Sequence, residues 1–138
     1  GGLVTRRILV VDDEPSLRKT LERALGGMGY EVMAVGDPRA AYELLEGGDF
    51  DLVLLDINLP EMSGDALFLA LARRSPRIIG RVVLMSGDPY AVKAEWPEEL
   101  ARCQMLGKPF TLAALHGAIA AALEAADRAG SWQKRNSG

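Results

Sequence analysis

The sequence is poor in the residues on which many kinds of site depend. It has a single cysteine, Cys103, and a single histidine, His116, and only 6% of its 138 residues are aromatic. One cysteine excludes an internal disulfide and a thiolate metal cluster, so we expect a reducing, cytoplasmic setting. The formal net charge of −3 gives no general attraction to nucleic acid or anionic lipid. No apolar run is long enough to cross a bilayer, and the N-terminus shows no signal-peptide pattern.

What the sequence does contain is a regular alternation of strand-like and helix-like segments. The strand-like apolar runs cover residues 8–11, 32–35, 52–55, 82–85 and 105–106. The segments between them place apolar residues three to four positions apart, as Leu17, Leu21 and Leu25 do, and leave Arg18 and Arg23 for solvent. Such alternation predicts an α/β fold, a doubly wound parallel sheet with helices on both faces.

The same pattern suggests one domain that fills residues 1–138, with a core from about 7 to 126. We set aside residues 1–5 as left over from expression and expect a polar, frayed tail over 128–138. Between 89 and 102 apolar residues are sparse and Pro97 would interrupt a helix, so a short or broken helix is expected there. Thr111 can cap the last helix.

Chemically active side chains follow four of the five strand-like runs. They are Asp12 and Asp13 after the first run, Asp56 after the third, Ser86 after the fourth and Lys108 after the fifth. Right-handed crossovers bring the carboxyl ends of parallel strands to one edge of the sheet, so these groups should converge. Clustered carboxylates repel one another unless a cation lies among them, and Mg²⁺ suits an all-oxygen set. The set predicts a carboxylate nucleophile with electrostatic support.

Further motifs surround these strand ends. They are Leu59-Pro60, Ser63-Gly64 and Lys108-Pro109-Phe110. Together with the strand ends they resemble the receiver domain of two-component response regulators, over nearly the whole chain. The resemblance implies the flavodoxin-like strand order 2-1-3-4-5 and a conformational switch rather than a turnover enzyme.

The resemblance also implies roles for individual residues. Asp56 would accept a phosphoryl group from a phosphohistidine on a sensor histidine kinase or a histidine phosphotransfer protein. Asp13 and Asp56 would bind Mg²⁺ directly together with the backbone carbonyl of Asn58, and Asp12 would act largely through water. Lys108 would contact the phosphoryl group.

At the rim of this site, the resemblance implies that Ser86 moves toward the phosphoryl group as the switch. Asn58 and Asp88 occupy variable positions that influence how fast the aspartyl phosphate hydrolyses in similar proteins. The Lys108–Pro109 peptide is expected to be cis. The chain departs from the family at Met105, where similar receivers often have Tyr or Phe, so we expect a weaker or differently placed conformational response.

Alternatives remain for both the residues and the function. Asp12 and Asp13 could only cap a helix, Ser86 could only form a turn, and Lys108 could be a solvated loop charge. A flavin-binding module is disfavoured because the acidic residues 12–14 would repel the FMN phosphate. A receiver-like interaction domain that is not phosphorylated stays open as the rival. No room is left after the last helix for a DNA-binding or enzymatic domain, and we lean towards a receiver taken from a longer protein such as a hybrid kinase.

Overall fold

The computed structural model describes residues 5–60, 62–88 and 96–136, with side chains up to residue 130. The strands are β1 (Arg7–Val11), β2 (Glu31–Val35), β3 (Leu52–Asp56), β4 (Val82–Ser86) and β5 (Gln104–Gly107). The helices are α1 (Pro15–Gly27), α2 (Pro38–Gly47), α3 (Gly64–Arg74), α4 (Glu98–Ala101) and α5 (Leu112–Asn136), and a 3₁₀ turn covers Pro76–Ile78.

The strands form one parallel sheet in the order β2-β1-β3-β4-β5, which confirms the predicted topology. All residues of β3 and β4 are buried, as expected for strands covered on both faces. The register pairs Val11 with both Val35 and Leu55, and Ser86 with Gly107. The residues that follow β1, β3, β4 and β5 therefore leave the sheet side by side at its carboxyl edge.

Alternate residues of each strand feed two hydrophobic clusters, one on each face of the sheet. On β1, Leu9 and Val11 pack with residues of α2 and α3, whereas Ile8 and Val10 pack with residues of α1 and α5. The burial of both faces explains why the strands read as unbroken apolar runs in the sequence. It also fixes the register, because a slip by one residue would exchange the two faces.

The segment before β5 is short, as predicted. Helix α4 contains only four residues and starts directly after Pro97, which is its N-cap residue. Trp96, 8% exposed, and Leu100, fully buried, join the cluster on the α2–α3 face, and Met105 packs against that cluster. The remainder of the predicted broken helix, residues 89–95, lies outside the described residues.

The prediction for the C-terminal helix was right at its start and wrong at its end. The Ala114 N–H donates to Thr111 Oγ1 at 3.0 Å, so Thr111 caps α5 as expected. The frayed tail expected from Arg128 is instead helical to Asn136. The alanine-rich residues before Asp127 favour a helix, and an ion pair between Arg128 and Glu124 at 3.4 Å links the first of the added residues to them.

Candidate functional site

Three carboxylates meet at the carboxyl edge of the sheet. Asp12 follows β1 and is fully buried, Asp56 ends β3 and is 4% exposed, and Asp13 is exposed. One oxygen from each of the three lies within 4.8 Å of the others. Opposite ligands of a Mg²⁺ ion with bonds of about 2.1 Å are about 4 Å apart, so this all-oxygen set fits that ion. The sequence-based prediction that these side chains converge is therefore met by the geometry.

Lys108 lies between the two buried carboxylates. Its Nζ donates to Asp12 Oδ2 at 2.7 Å and to Asp56 Oδ2 at 3.3 Å. Burial by itself would lower the pKa of Lys108, but the hydrogen bond to Asp12 and the charges of Asp56 and Asp12 outweigh it and raise the pKa. The lysine thus stays cationic. One ammonium contacts two of the three carboxylates, so the cluster keeps an excess of negative charge that a divalent cation can balance.

Asp56 is held by contacts to both of its oxygens. Its Oδ1 accepts a hydrogen bond from the Asn58 N–H at 2.8 Å, and its Oδ2 faces Lys108. Burial raises the pKa of the Asp56 carboxyl and the nearby Asp12 charge adds to the rise, whereas the Asn58 N–H and Lys108 act in the opposite direction. The carboxylate is consequently a fixed and poorly hydrated group with one cationic neighbour.

Asp12 is anchored through both its side chain and its backbone. Oδ1 accepts from the Glu14 N–H at 2.9 Å, and the backbone N–H of Asp12 donates to the Val35 carbonyl at 3.0 Å. The Asp12 carbonyl accepts from Arg18 Nη1 at 2.8 Å. Sequence reasoning assigned Arg18 to solvent, and this was wrong because its guanidinium folds back over the end of β1. Helical spacing carries no signal for such a contact.

Ser86 is fully buried and lies at the rim of the carboxylate cluster. Its Oγ donates to the Asp88 carbonyl at 2.9 Å and accepts from the Asp88 N–H at 3.0 Å. The Asn58 side-chain amide also approaches Ser86 Oγ, at 3.5 Å. In this state the hydroxyl is engaged with its own loop, and Asn58 links that loop to the one that follows Asp56.

The loop after Asp56 is fixed by a glycine. The Gly64 N–H donates to the Ile57 carbonyl at 3.1 Å. A Cβ atom added at residue 64 would lie 2.6 Å from Ile57 Cβ and 2.8 Å from Ile57 Cα. Real Cβ atoms do not approach backbone so closely, so only glycine lets α3 begin against this loop. The Lys108–Pro109 peptide on the opposite side of the site is cis, as expected.

Comparison with known proteins now identifies the family. The sequence profile described as "Response regulator receiver domain" matches residues 8–120. The chain belongs to the response regulator receiver domain family. The resemblance inferred from the strand ends is thereby confirmed, and the receiver domain has the sheet order and the converging acidic residues expected of it.

Among curated relatives, the receiver domain is similar to "Response regulator receiver protein CpdR" of Brucella abortus. The two are 36% identical over 109 residues, which cover 78% of this chain and 88% of the relative. It is also 44% identical over 68 residues to "Transcriptional regulatory protein TcrA" of Mycobacterium tuberculosis, covering 49% of this chain and 27% of that protein. The chain thus covers only about a quarter of the length of some of the regulators that it resembles.

Solved structures support the same fold. A structure described as adenylate cyclase from Rhodopirellula baltica superposes with a TM-score of 0.81 at 25% identity and covers 95% of this receiver domain and 96% of that chain. The chemotaxis response regulator CheY4 of Vibrio cholerae gives a TM-score of 0.77 at 24% identity, with 86% and 99% covered, and this likeness concerns the fold alone. In the part of the receiver domain that the structure describes, none of the helices has the length and apolarity of a membrane span.

Proposed function

We propose that this receiver domain takes a phosphoryl group onto Asp56 from a phosphohistidine of a sensor histidine kinase or histidine phosphotransfer protein. The reaction depends on Mg²⁺, and the domain, a single unit with its core over residues 7–126, then acts as a cytoplasmic conformational switch. The observation that carries the proposal is the meeting of three carboxylates with one ammonium at the carboxyl edge of the sheet. That combination offers a nucleophile, a cation site and a charge partner for phosphate within one small region.

In the transfer step, an oxygen of Asp56 forms a bond to phosphorus as the phosphorus–nitrogen bond to the donor imidazole breaks. The imidazole nitrogen keeps the electron pair of the broken bond. Asp56 suits the role of nucleophile because it is buried yet held by the Asn58 N–H and Lys108 from opposite oxygens. Fixed position and poor hydration both reduce the reorganisation needed before attack.

The domain's own residues would also hold the ion and the transferred group. Asp13 and Asp56, with the Asn58 carbonyl, would bind Mg²⁺ directly, and Asp12 would act through water. When bound, the ion neutralises charge that develops on the phosphoryl oxygens. Lys108 would exchange its contact with Asp56 Oδ2 for a phosphoryl oxygen while keeping Asp12 as its partner.

Ser86 supplies the switch in this proposal. To donate to a phosphoryl oxygen, its hydroxyl must give up the bond to the Asp88 carbonyl. Phosphorylation would therefore release the Asp88 carbonyl from Ser86. Because Asn58 contacts both Asp56 and Ser86, it connects the acceptor to the switch.

The test is incubation with Mg²⁺ and acetyl phosphate, followed by intact mass measurement. The wild-type chain should gain the mass of one phosphoryl group, and Asp56→Asn should gain none. Asp49→Asn is the matched control, since Asp49 is exposed and lies at the opposite edge of the sheet, before β3. No added phosphate on the wild type would favour the unphosphorylated interaction domain instead, and phosphate that persists on Asp56→Asn would overturn Asp56 as the acceptor.

A further inference from the structure

Arg18 and Gly36 form a contact that has no role in the phosphoryl transfer proposed above. Arg18 Nη1 donates to the Asp12 carbonyl at 2.8 Å. A Cβ atom at residue 36 would lie 2.7 Å from Arg18 Nη1, 3.2 Å from Cζ and 3.5 Å from Nη2. These are the three nearest atoms to that position, so Gly36 provides the space in which the guanidinium lies. Arg18 belongs to α1 and Gly36 directly follows β2, and neither sequence spacing nor periodicity predicts that they meet.

The Arg18 contact fixes the peptide group between Asp12 and Asp13. On one side of this residue pair, the Asp12 N–H donates to the Val35 carbonyl at 3.0 Å. On the other side, Arg18 holds the Asp12 carbonyl oxygen. Hydrogen bonds therefore hold the backbone on both sides of Asp12, where the chain leaves β1 and immediately before the exposed Asp13.

The positions of the Asp12 and Asp13 carboxylates differ in how far they depend on these backbone hydrogen bonds. The Asp12 carboxylate has its own partners, the Glu14 N–H at 2.9 Å and Lys108 Nζ at 2.7 Å. Within the described ranges, no hydrogen bond or ion pair holds the carboxylate of Asp13, which is exposed. Its place beside Asp12 and Asp56 thus depends on the backbone that carries it.

We propose that Arg18 is a positioning residue for the divalent-cation site, acting through the Asp12–Asp13 peptide, and that Gly36 is required because it leaves room for the guanidinium. The inference rests on the proposed function, since it assumes that Asp13 binds the ion. Arg18 does not touch the ion itself. Outer partners that orient metal ligands typically change metal affinity by about 10- to 100-fold when they are removed.

The experiment measures binding of Mg²⁺ alone by isothermal titration calorimetry, without a phosphodonor. Arg18→Met should raise the Mg²⁺ dissociation constant about 10-fold, because the methionine side chain keeps an unbranched apolar stem but has no guanidinium and donates no hydrogen bond. Arg18→Lys can still donate one hydrogen bond, so its Mg²⁺ dissociation constant should lie between those of the wild type and Arg18→Met. Arg23→Met, an exposed arginine on the same helix, is the control and should match wild type. At saturating Mg²⁺ the rate of phosphorylation of Arg18→Met should return close to the wild-type rate.

Gly36→Ala provides an independent variant that leaves Arg18 in the sequence. Its methyl group would displace the guanidinium and should also raise the dissociation constant. In the double variant with Arg18→Met the alanine should have no further effect, because the group that it displaces is gone. Circular dichroism melting shows whether each variant is folded, and if Arg18→Met does not fold, Arg18→Lys and Gly36→Ala test the same contact.

The results separate this inference from the proposed function. Wild-type affinity in Arg18→Met, or full additivity of the Arg18 and Gly36 substitutions, would overturn the positioning role while leaving phosphorylation intact. A wild-type chain that binds no Mg²⁺ would overturn both. A wild-type chain that binds Mg²⁺ with the expected Arg18 dependence but takes no phosphate would overturn only the proposed phosphotransfer.

Discussion

Replacement of Lys108 by methionine tests the charge balance of the site most directly. The substitution keeps a similar length and removes the ammonium that contacts Asp12 at 2.7 Å and Asp56 at 3.3 Å. Two buried carboxylates would then face each other without a cation. In metal-free buffer at neutral pH, the free energy of unfolding should therefore fall.

The size of the loss follows from burial. Breaking a fully buried ion pair by removing one partner costs about 3–5 kcal/mol, whereas exposed pairs contribute up to about 1 kcal/mol. The Asp12 side chain is 0% exposed but that of Lys108 is 22% exposed, and Asp12 keeps the bond from Glu14. We therefore expect Lys108→Met to lower the free energy of unfolding by about 2–3 kcal/mol. For a chain of this size, that corresponds to a fall in melting temperature of roughly 10 °C.

Magnesium should reduce this deficit. An ion at 100 times its dissociation constant stabilises the folded state by about 2.7 kcal/mol, and in Lys108→Met it meets no competing ammonium. Thermal melts in EDTA and in saturating MgCl₂ provide the assay, with the exposed Lys19→Met as control. An equal loss in both buffers, or no loss in EDTA, would refute the idea that Lys108 and a divalent cation neutralise the same carboxylates.

Further predictions concern the proposed nucleophile Asp56, the glycine Gly64 and the segment that ends at Met105. Asp56→Asn should raise the melting temperature at pH 7 in EDTA. A carboxyl whose pKa is raised in the folded state favours folding below its unfolded pKa and loses that contribution as pH rises through the folded value. The rise in melting temperature caused by Asp56→Asn should therefore become smaller as the pH is lowered towards 4. A rise that does not depend on pH would contradict this prediction. Gly64→Ala should destabilise by about 1–3 kcal/mol in urea unfolding, whereas Gly26→Ala, which meets nothing within 4 Å, should be neutral or slightly stabilising. With Met105 in place of an aromatic switch, structures with and without beryllofluoride should differ at the contact between Ser86 and Asp88 but show no large ordered rearrangement over residues 88–105. Such a rearrangement would refute this prediction.

The sequence allowed prediction of those parts of the site that depend on strand ends. The sequence predicts that three of the side chains lie close together, because each follows a buried apolar run and parallel strands end at the same edge of the sheet. These side chains are Asp12, Asp56 and Lys108. The same logic could not find Arg18, since its reach to the Asp12 carbonyl depends on a rotamer and on space left by Gly36.

The length of the last helix was missed for a different reason. Its predicted end was placed where apolar periodicity stops. Among the residues whose side chains the structure describes, up to residue 130, the last buried one in this helix is Ala126, while the helix continues to Asn136. Periodicity reports which face of a helix is covered, and it reports the end of a helix only when burial is what stabilises that end. Here the alanine-rich residues before Asp127 favour a helix, and the ion pair between Arg128 and Glu124 favours its continuation past Ala126.

The arrangement of charges also explains how one cluster can serve both stability and signalling. With Lys108 bridging Asp12 and Asp56, the acidic edge is partly neutralised before any ion binds, and Ser86 remains bonded to its own loop. A phosphoryl group on Asp56 would add negative charge at the one carboxylate that Lys108 and Asn58 both contact. Lys108 and the Ser86 hydroxyl could donate hydrogen bonds to the added phosphoryl oxygens, and the hydroxyl could do so only by giving up its bond to the Asp88 carbonyl. In the proposed mechanism, phosphorylation would be coupled to displacement of Asp88 through competition for a few hydrogen-bond donors, and this coupling would need no aromatic side chain at position 105.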